Sequence, residues 1–203
     1  MRTFLWFLLL AWILGFTRVE AFADPRVDVK IKYYEVEGDT VEGLKNELKV
    51  KTPIRNNGKP FDANTTWYVK WNTQWAMKGM SCGIVSVTTR VSIIFTLPKW
   101  ANYKEHSGKE REKWERFFKR LMDHENGHKD IAVGSAKELE KSILDMESRE
   151  NCDDLKRDAN RLGETIIEKY QGFTEQYDLE TDHGRKQNAS APWNEISTLP
   201  PAR

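Results

Sequence analysis

Residues 124 to 128 read His124, Glu125, Asn126, Gly127, His128, an HExxH pattern in a chain with only four histidines. On a helix, side chains four apart stand above one another on one face, so His124 and His128 can grip one Zn²⁺ while Glu125 addresses a water on the metal. That is the chemistry of hydrolysis. A catalytic zinc takes three protein ligands and keeps a fourth position for water, whose pKa it lowers to near 7, so one more side chain must come from outside the motif. The extended HExxHxxGxxH pattern is excluded, because the position it requires for a third histidine is Gly134. Glu147 and Glu150 fall some twenty residues beyond the motif, His106 lies ahead of it in a polar connection, and His183 sits within Tyr177–Gly184 (YDLETDHG). On the residues alone His183 reads equally as a ligand carried back by a returning loop and as an exposed loop histidine. Asp178 or Asp182 could orient a ligand histidine through its second ring nitrogen, or could simply form turns.

The element that must carry the motif is a long helix opening at about Lys109. Trp114, Phe117, Phe118, Leu121 and Met122 trace an apolar stripe that runs through His124 and His128 to Ile131, Ala132, Ala136, Leu139 and Ile143. The motif therefore faces inward. Gly127 and Gly134 each lower helix propensity by about 1 kcal/mol, which allows a bend, and Gly127 allows close packing behind the metal. Asn151 and Asp153 around Cys152 mark a break and a new cap, after which Leu155, Leu162, Ile166, Ile167 and Tyr170 continue as another helix.

Ahead of the helices the chain reads as strands. Val27, Val29, Ile31 and Tyr33 alternate with charged residues, the period of a half-buried strand. Asp39 and Glu42 have capping-box spacing for a short helix through Val41, Leu44 and Leu48, ending before Pro53. Trp67, Val69 and Trp71 form a second strand. Its tryptophans, with Trp75, are core by preference, with a sugar-binding platform as the rival reading. Ile84 to Phe95 (IVSVTTRVSIIF) is the strongest strand, ended by Pro98, and its edge could accept an extended peptide.

Residues 1 to 23 have the form of an export signal: Arg2, an apolar run from Phe4 to Phe16, and a small-x-small site for cleavage after Ala23. An uncleaved anchor is the alternative. Without that segment the basic residues fall from 32 by Arg2 and Arg18, and the acidic from 31 by Glu20, leaving 30 of each. Such a balance gives no electrostatic reason to expect nucleic acid or an anionic membrane as partner. Cys82 and Cys152 both lie in the exported part, where an oxidising compartment favours pairing them, closing a loop for which chain entropy gives about 4 kcal/mol. Residues 24–186 then form one domain, and 187–203, polar with three prolines, a loose tail.

The chain resembles a family of bacterial proteins, domain of unknown function 922, predicted to be secreted Zn-dependent proteases. The resemblance covers most of residues 27 to 184 and rests on YYEVEGDT from Tyr33, LPKW from Leu97, HENGH at 124 to 128 and the closing YDLETDHG. It implies His124, His128 and His183 as zinc ligands, Glu125 as base and Tyr177 as a hydrogen-bond donor to the oxyanion. It also implies an α+β, zincin-like fold, a small antiparallel sheet on long helices with HExxH on a central helix. The expected protein is a secreted or periplasmic zinc metallopeptidase acting on peptides or proteins, without a stable membrane anchor. The alternatives are a non-catalytic zinc-binding envelope protein that uses a peptidase-like domain to hold a partner, and a helical envelope protein with a coincidental HExxH.

Overall fold

The structure, a computed structural model, describes residues 24–186. The export signal, its cleavage site after Ala23 and the tail 187–203 lie outside the described residues. The fold is α+β, a three-stranded sheet and a short two-stranded hairpin with three α-helices and one 3-10 turn at Tyr103–Glu105: β1 Arg26–Val36, α1 Val41–Lys51, β2 Arg55–Asn56, β3 Lys59–Pro60, β4 Asn64–Lys78, β5 Ser81–Trp100, α2 Lys109–Leu144 and α3 Cys152–Thr181. Among the described residues no helix is long and apolar enough to cross a membrane.

The sheet order is β1-β5-β4, with β4 antiparallel and β1 parallel to β5. The sheet is therefore mixed rather than antiparallel. Its cause is the path of the chain: β1 finishes and β4 starts at the same end, bridged there by α1 and the β2–β3 hairpin, so β4 runs back and β5 runs forward again beside β1. The best strand of the sequence is accordingly the central one: from Arg90 to Phe95 both its sides are paired, so the edge expected over 84 to 95 is left only at Ile84 to Thr89, beyond the start of β1. Nor does Pro98 end the strand. The β4 ladder has already stopped at Thr96, so at Pro98 β5 has a neighbour on one side only, where a missing N–H is tolerated.

From Val87 to Leu97 the odd-numbered residues of β5 face the helices, and Val91, Ile93, Phe95 and Leu97 pack with Ala132 and Ala136 of α2. Trp67 and Trp71 of β4 join the core, with the Trp67 indole N–H donating to Thr174 Oγ1 at 3.3 Å. The platform reading falls away. On β1 the alternation is present, but Val27, Val29, Ile31 and Tyr33 are 38 to 54 % exposed, because α2 covers β5 and leaves the edge strand open. At α1 the cap is Thr40, whose hydroxyl accepts from Gly43 N at 3.1 Å, one residue later than the Asp39 expected to do it.

α3 lies antiparallel on α2 in a register set by two close approaches. A Cβ on Gly127 would fall 2.3 Å from Tyr177 Oη, and one on Gly134 3.2 Å from Tyr170 Cε1. The two glycines are seven apart on α2, and so are the two tyrosines on α3, so each ring sits where a side chain is missing. Asn151 caps α3 as expected, accepting from Asp153 N at 2.8 Å, and the expected Cys82–Cys152 disulfide is present. α3 does not stop near Tyr170. It continues to Thr181 and brings Tyr177 to Thr181 of the YDLETDHG segment back to the HExxH helix as helix, with His183 in the turn just beyond rather than on a longer returning loop.

Candidate metal centre

α2 buries His124, Glu125 and His128 together, and α3 presents Asp178 opposite them. His124 Nε2 and His128 Nε2 each lie 3.1 Å from Asp178 Oδ1 and 3.2 Å from each other. These atoms make a nearly equilateral triangle. A tetrahedral zinc with ligand bonds of about 2.0–2.1 Å sets its donor atoms about 3.3 Å apart, so the donor set and its spacing both fit that ion. The Tyr177 ring backs both imidazoles, stacked on His124 at 4.8 Å and edge-on to His128 at 4.9 Å.

The hydrogen bonds around His124 set its tautomer. Thr181 donates its hydroxyl proton to the Tyr177 carbonyl at 2.7 Å, so toward His124 Nδ1 at 3.2 Å, and toward Gly184 N at 3.3 Å, its oxygen accepts. His124 therefore carries its proton on Nδ1 and turns a lone pair from Nε2 toward the carboxylate. Two lone pairs 3.1 Å apart repel, so a cation, either a proton or a metal, has to lie between them. Burial alone would raise the Asp178 carboxyl, but hydrogen bonding and charge from both imidazoles hold it well below the ordinary carboxylate range. Among the described residues His128 Nδ1 is buried without a partner, a cost of the kind functional sites carry.

Glu125 points to the same place from the other side. Burial pushes its carboxyl up, partly countered by Thr65, whose hydroxyl donates to Oε2 at 2.5 Å from the start of β4. Around these groups runs a cleft of about 600 Å³, bounded by the β2–β3 hairpin, the start of β4 and the residues following α3.

A family model described as "Bacterial protein of unknown function (DUF922)" matches residues 31–184. The chain belongs to this family. The DUF922 match runs from within β1 to Gly184 and so takes in every group of the centre. No curated protein and no solved structure was found to match.

Within the DUF922 region the structure brings together His124, Glu125, His128, Tyr177 and Asp178, and sets His183 beside them. His183 Nδ1 is 3.5 Å from Asp178 Oδ1 and its ring lies 4.6 Å from that of Phe61, so it borders the triangle without completing it. The Tyr177 hydroxyl donates to the His124 carbonyl at 3.2 Å, and the side chain is 2 % exposed and outside the cleft lining. Asp182 turns away to Arg185. His106 is stacked on Trp100, away from the motif, and Glu147 and Glu150 are exposed beyond the end of α2, whose last residue, Leu144, is about 24 Å along the helix from His128 at 1.5 Å per residue. Sequence reasoning missed Thr65 and Thr181, two threonines that no spacing rule ties to HExxH. It also missed why a glycine follows His183: Gly184 has φ +79° and a Cβ there would fall 2.9 Å from His124 Cβ.

Proposed function

We propose that this chain is an exported, zincin-like zinc peptidase, secreted or periplasmic, with His124, His128 and Asp178 holding the metal and Glu125 as general base. The observation that carries the reading is the triangle, two imidazole nitrogens and a carboxylate oxygen 3.1 to 3.2 Å apart with one lone pair aimed inward by Thr181. Zinc, when bound, supplies the Lewis acid that acidifies a water and polarises a carbonyl. Glu125 takes the proton and returns it to the leaving amine. Its buried, raised carboxyl is better matched to that task than an ordinary glutamate, and Thr65 holds one oxygen while the other exchanges the proton. Asn64 and Thr65 put the outer edge of β4 at the cleft, where an extended peptide adds by backbone hydrogen bonds, the role first expected of β5. Tyr177 is a positioning residue behind the imidazoles. His183, lining the cleft beside Asp178, is the group placed to donate to the carbonyl oxygen of a bound peptide. The disulfide fits an oxidising compartment.

The test is zinc content and peptide hydrolysis of the wild type and Glu125→Gln. Protein purified without added metal should hold one zinc in both forms, and only the wild type should cleave a general peptide library. Zinc without cleavage in the wild type would replace the reading with that of a zinc-binding partner protein, and absence of zinc would remove both.

A further inference from the structure

Outside the metal group and Glu125, the charged side chains lining the cleft are Lys49, Arg55, Lys59 and Arg185 against one carboxylate, Asp62. In a chain of 32 basic and 31 acidic residues that is a local excess of positive charge. Arg185 is bound to Asp182 at 2.6 and 2.9 Å, and Asp62 faces Arg185 and Lys49, with burial raising its carboxyl. That accounts for part of the excess and leaves the rest uncompensated. Arg55 donates to the carbonyls of Lys49 and Val50 at 3.1 and 3.5 Å, which fixes its guanidinium over the end of α1 without neutralising it. Neither Arg55 nor Lys59 has a carboxylate partner among the described residues. Both stand on the β2–β3 hairpin, whose turn has Asn57 at φ +50° and Gly58 at φ +77° and whose strand residues line the same cleft as the HExxH helix.

Building on the peptidase reading, we infer that the cleft selects peptides bearing a carboxylate that lies against the β2–β3 hairpin, met there by Arg55 and Lys59. The inference concerns binding, so it can be tested apart from turnover. A labelled, C-terminally amidated peptide carrying internal Glu is compared with its Gln and Lys counterparts for binding to zinc-loaded Glu125→Gln protein, and a neutral peptide is compared with and without a free C-terminus. The acidic form should bind about fivefold tighter than the lysine form, the scale of one exposed ion pair, and the advantage should shrink as salt is raised. Preference for the internal Glu places the carboxylate on a side chain, and preference for the free end places it at the substrate's C-terminus. In Arg55→Glu with Lys59→Glu the preference should vanish or reverse, and in the milder Arg55→Gln with Lys59→Gln it should fall to about twofold. Equal affinity in both arms, or a preference that survives the double charge reversal, overturns the inference. Wild-type cleavage summed over the same peptides separates the two readings: no cleavage with the acidic preference intact sinks the peptidase reading alone.

Discussion

At one end of the α2–α3 pair, Cys152 is bonded to Cys82, Cys82 and Arg149 exchange backbone hydrogen bonds of 2.6 and 2.9 Å, and Ile143, Leu155 and Ala159 are sealed from solvent. At the other end the same two helices enclose His124, Glu125 and His128, a carboxylate 29 % exposed, and a histidine nitrogen with no partner among the described residues. The first end is covalent and its core apolar, and among the described residues it leaves no buried side-chain nitrogen or oxygen without a partner. The second concentrates buried polar groups whose arrangement is favourable only around a cation. Stability and chemistry are thus separated along one pair of helices, and the rigid end lets the costly end be held in register.

That separation predicts that the disulfide can be removed without touching the metal centre. Replacing both cysteines, Cys82→Ser with Cys152→Ser, should lower unfolding free energy by about 4 kcal/mol, because 70 positions are no longer closed in the unfolded chain. Denaturant unfolding measures it, and the melting temperature should fall by roughly 8–16 °C. Zinc affinity of the folded variant should stay within about twofold. A parallel loss of zinc would mean that the two ends are one unit.

The next effect belongs to the other end. Asp178→Ala removes one corner of the triangle and should weaken zinc binding by more than about a hundredfold, measured by competition with a chelator. His183→Ala, which leaves all three corners, should weaken it by less than about tenfold. If His183→Ala were the more damaging, the third-ligand role would pass to His183 and Asp178 would be its orienting carboxylate.

How much of this was legible in the sequence follows the same division. The cysteine pair, the Asn151 cap and the long apolar stripe of α2 are local or compositional signals, and all three appear where the residues said they would. His124, Glu125 and His128 could be placed on one face because helical period alone fixes their relation. The rest of the centre depends on the register of α3 against α2, which rests on ring-to-glycine contacts between residues 50 and 36 positions apart in sequence. Without that register Asp178 could be weighed only as an orienting or turn-forming residue, and the sheet order that turned β5 from edge to centre was equally invisible, since alternation reports which face is apolar and nothing about neighbours. Gly134 was readable only as a weak point in a helix, and Gly127 as that or as room for close packing, with nothing to say which ring fills it.

Those two glycines give the finest comparison, because they lie on the same helix, in the same kind of seat, at different distances from the chemistry. An alanine methyl at 127 would land 2.3 Å from Tyr177 Oη and 2.5 Å from its Cζ, so the ring must move and carry Asp178, its chain neighbour, with it. Overpacking of that kind costs about 1–3 kcal/mol, against about 1 kcal/mol gained from replacing glycine in a helix, so Gly127→Ala should destabilise by about 1 kcal/mol and also weaken zinc binding. At 134 the nearest atom is the edge of the Tyr170 ring at 3.2 Å, where a shift of a few tenths of an ångström suffices. Gly134→Ala should therefore change stability by less than about 0.5 kcal/mol and leave zinc affinity as it was. Equal effects of the two substitutions on zinc would show that any disturbance of the α2–α3 contact reaches the metal. An effect confined to position 127 would place the control of Asp178 in the single contact between Tyr177 and the glycine of the HExxH motif.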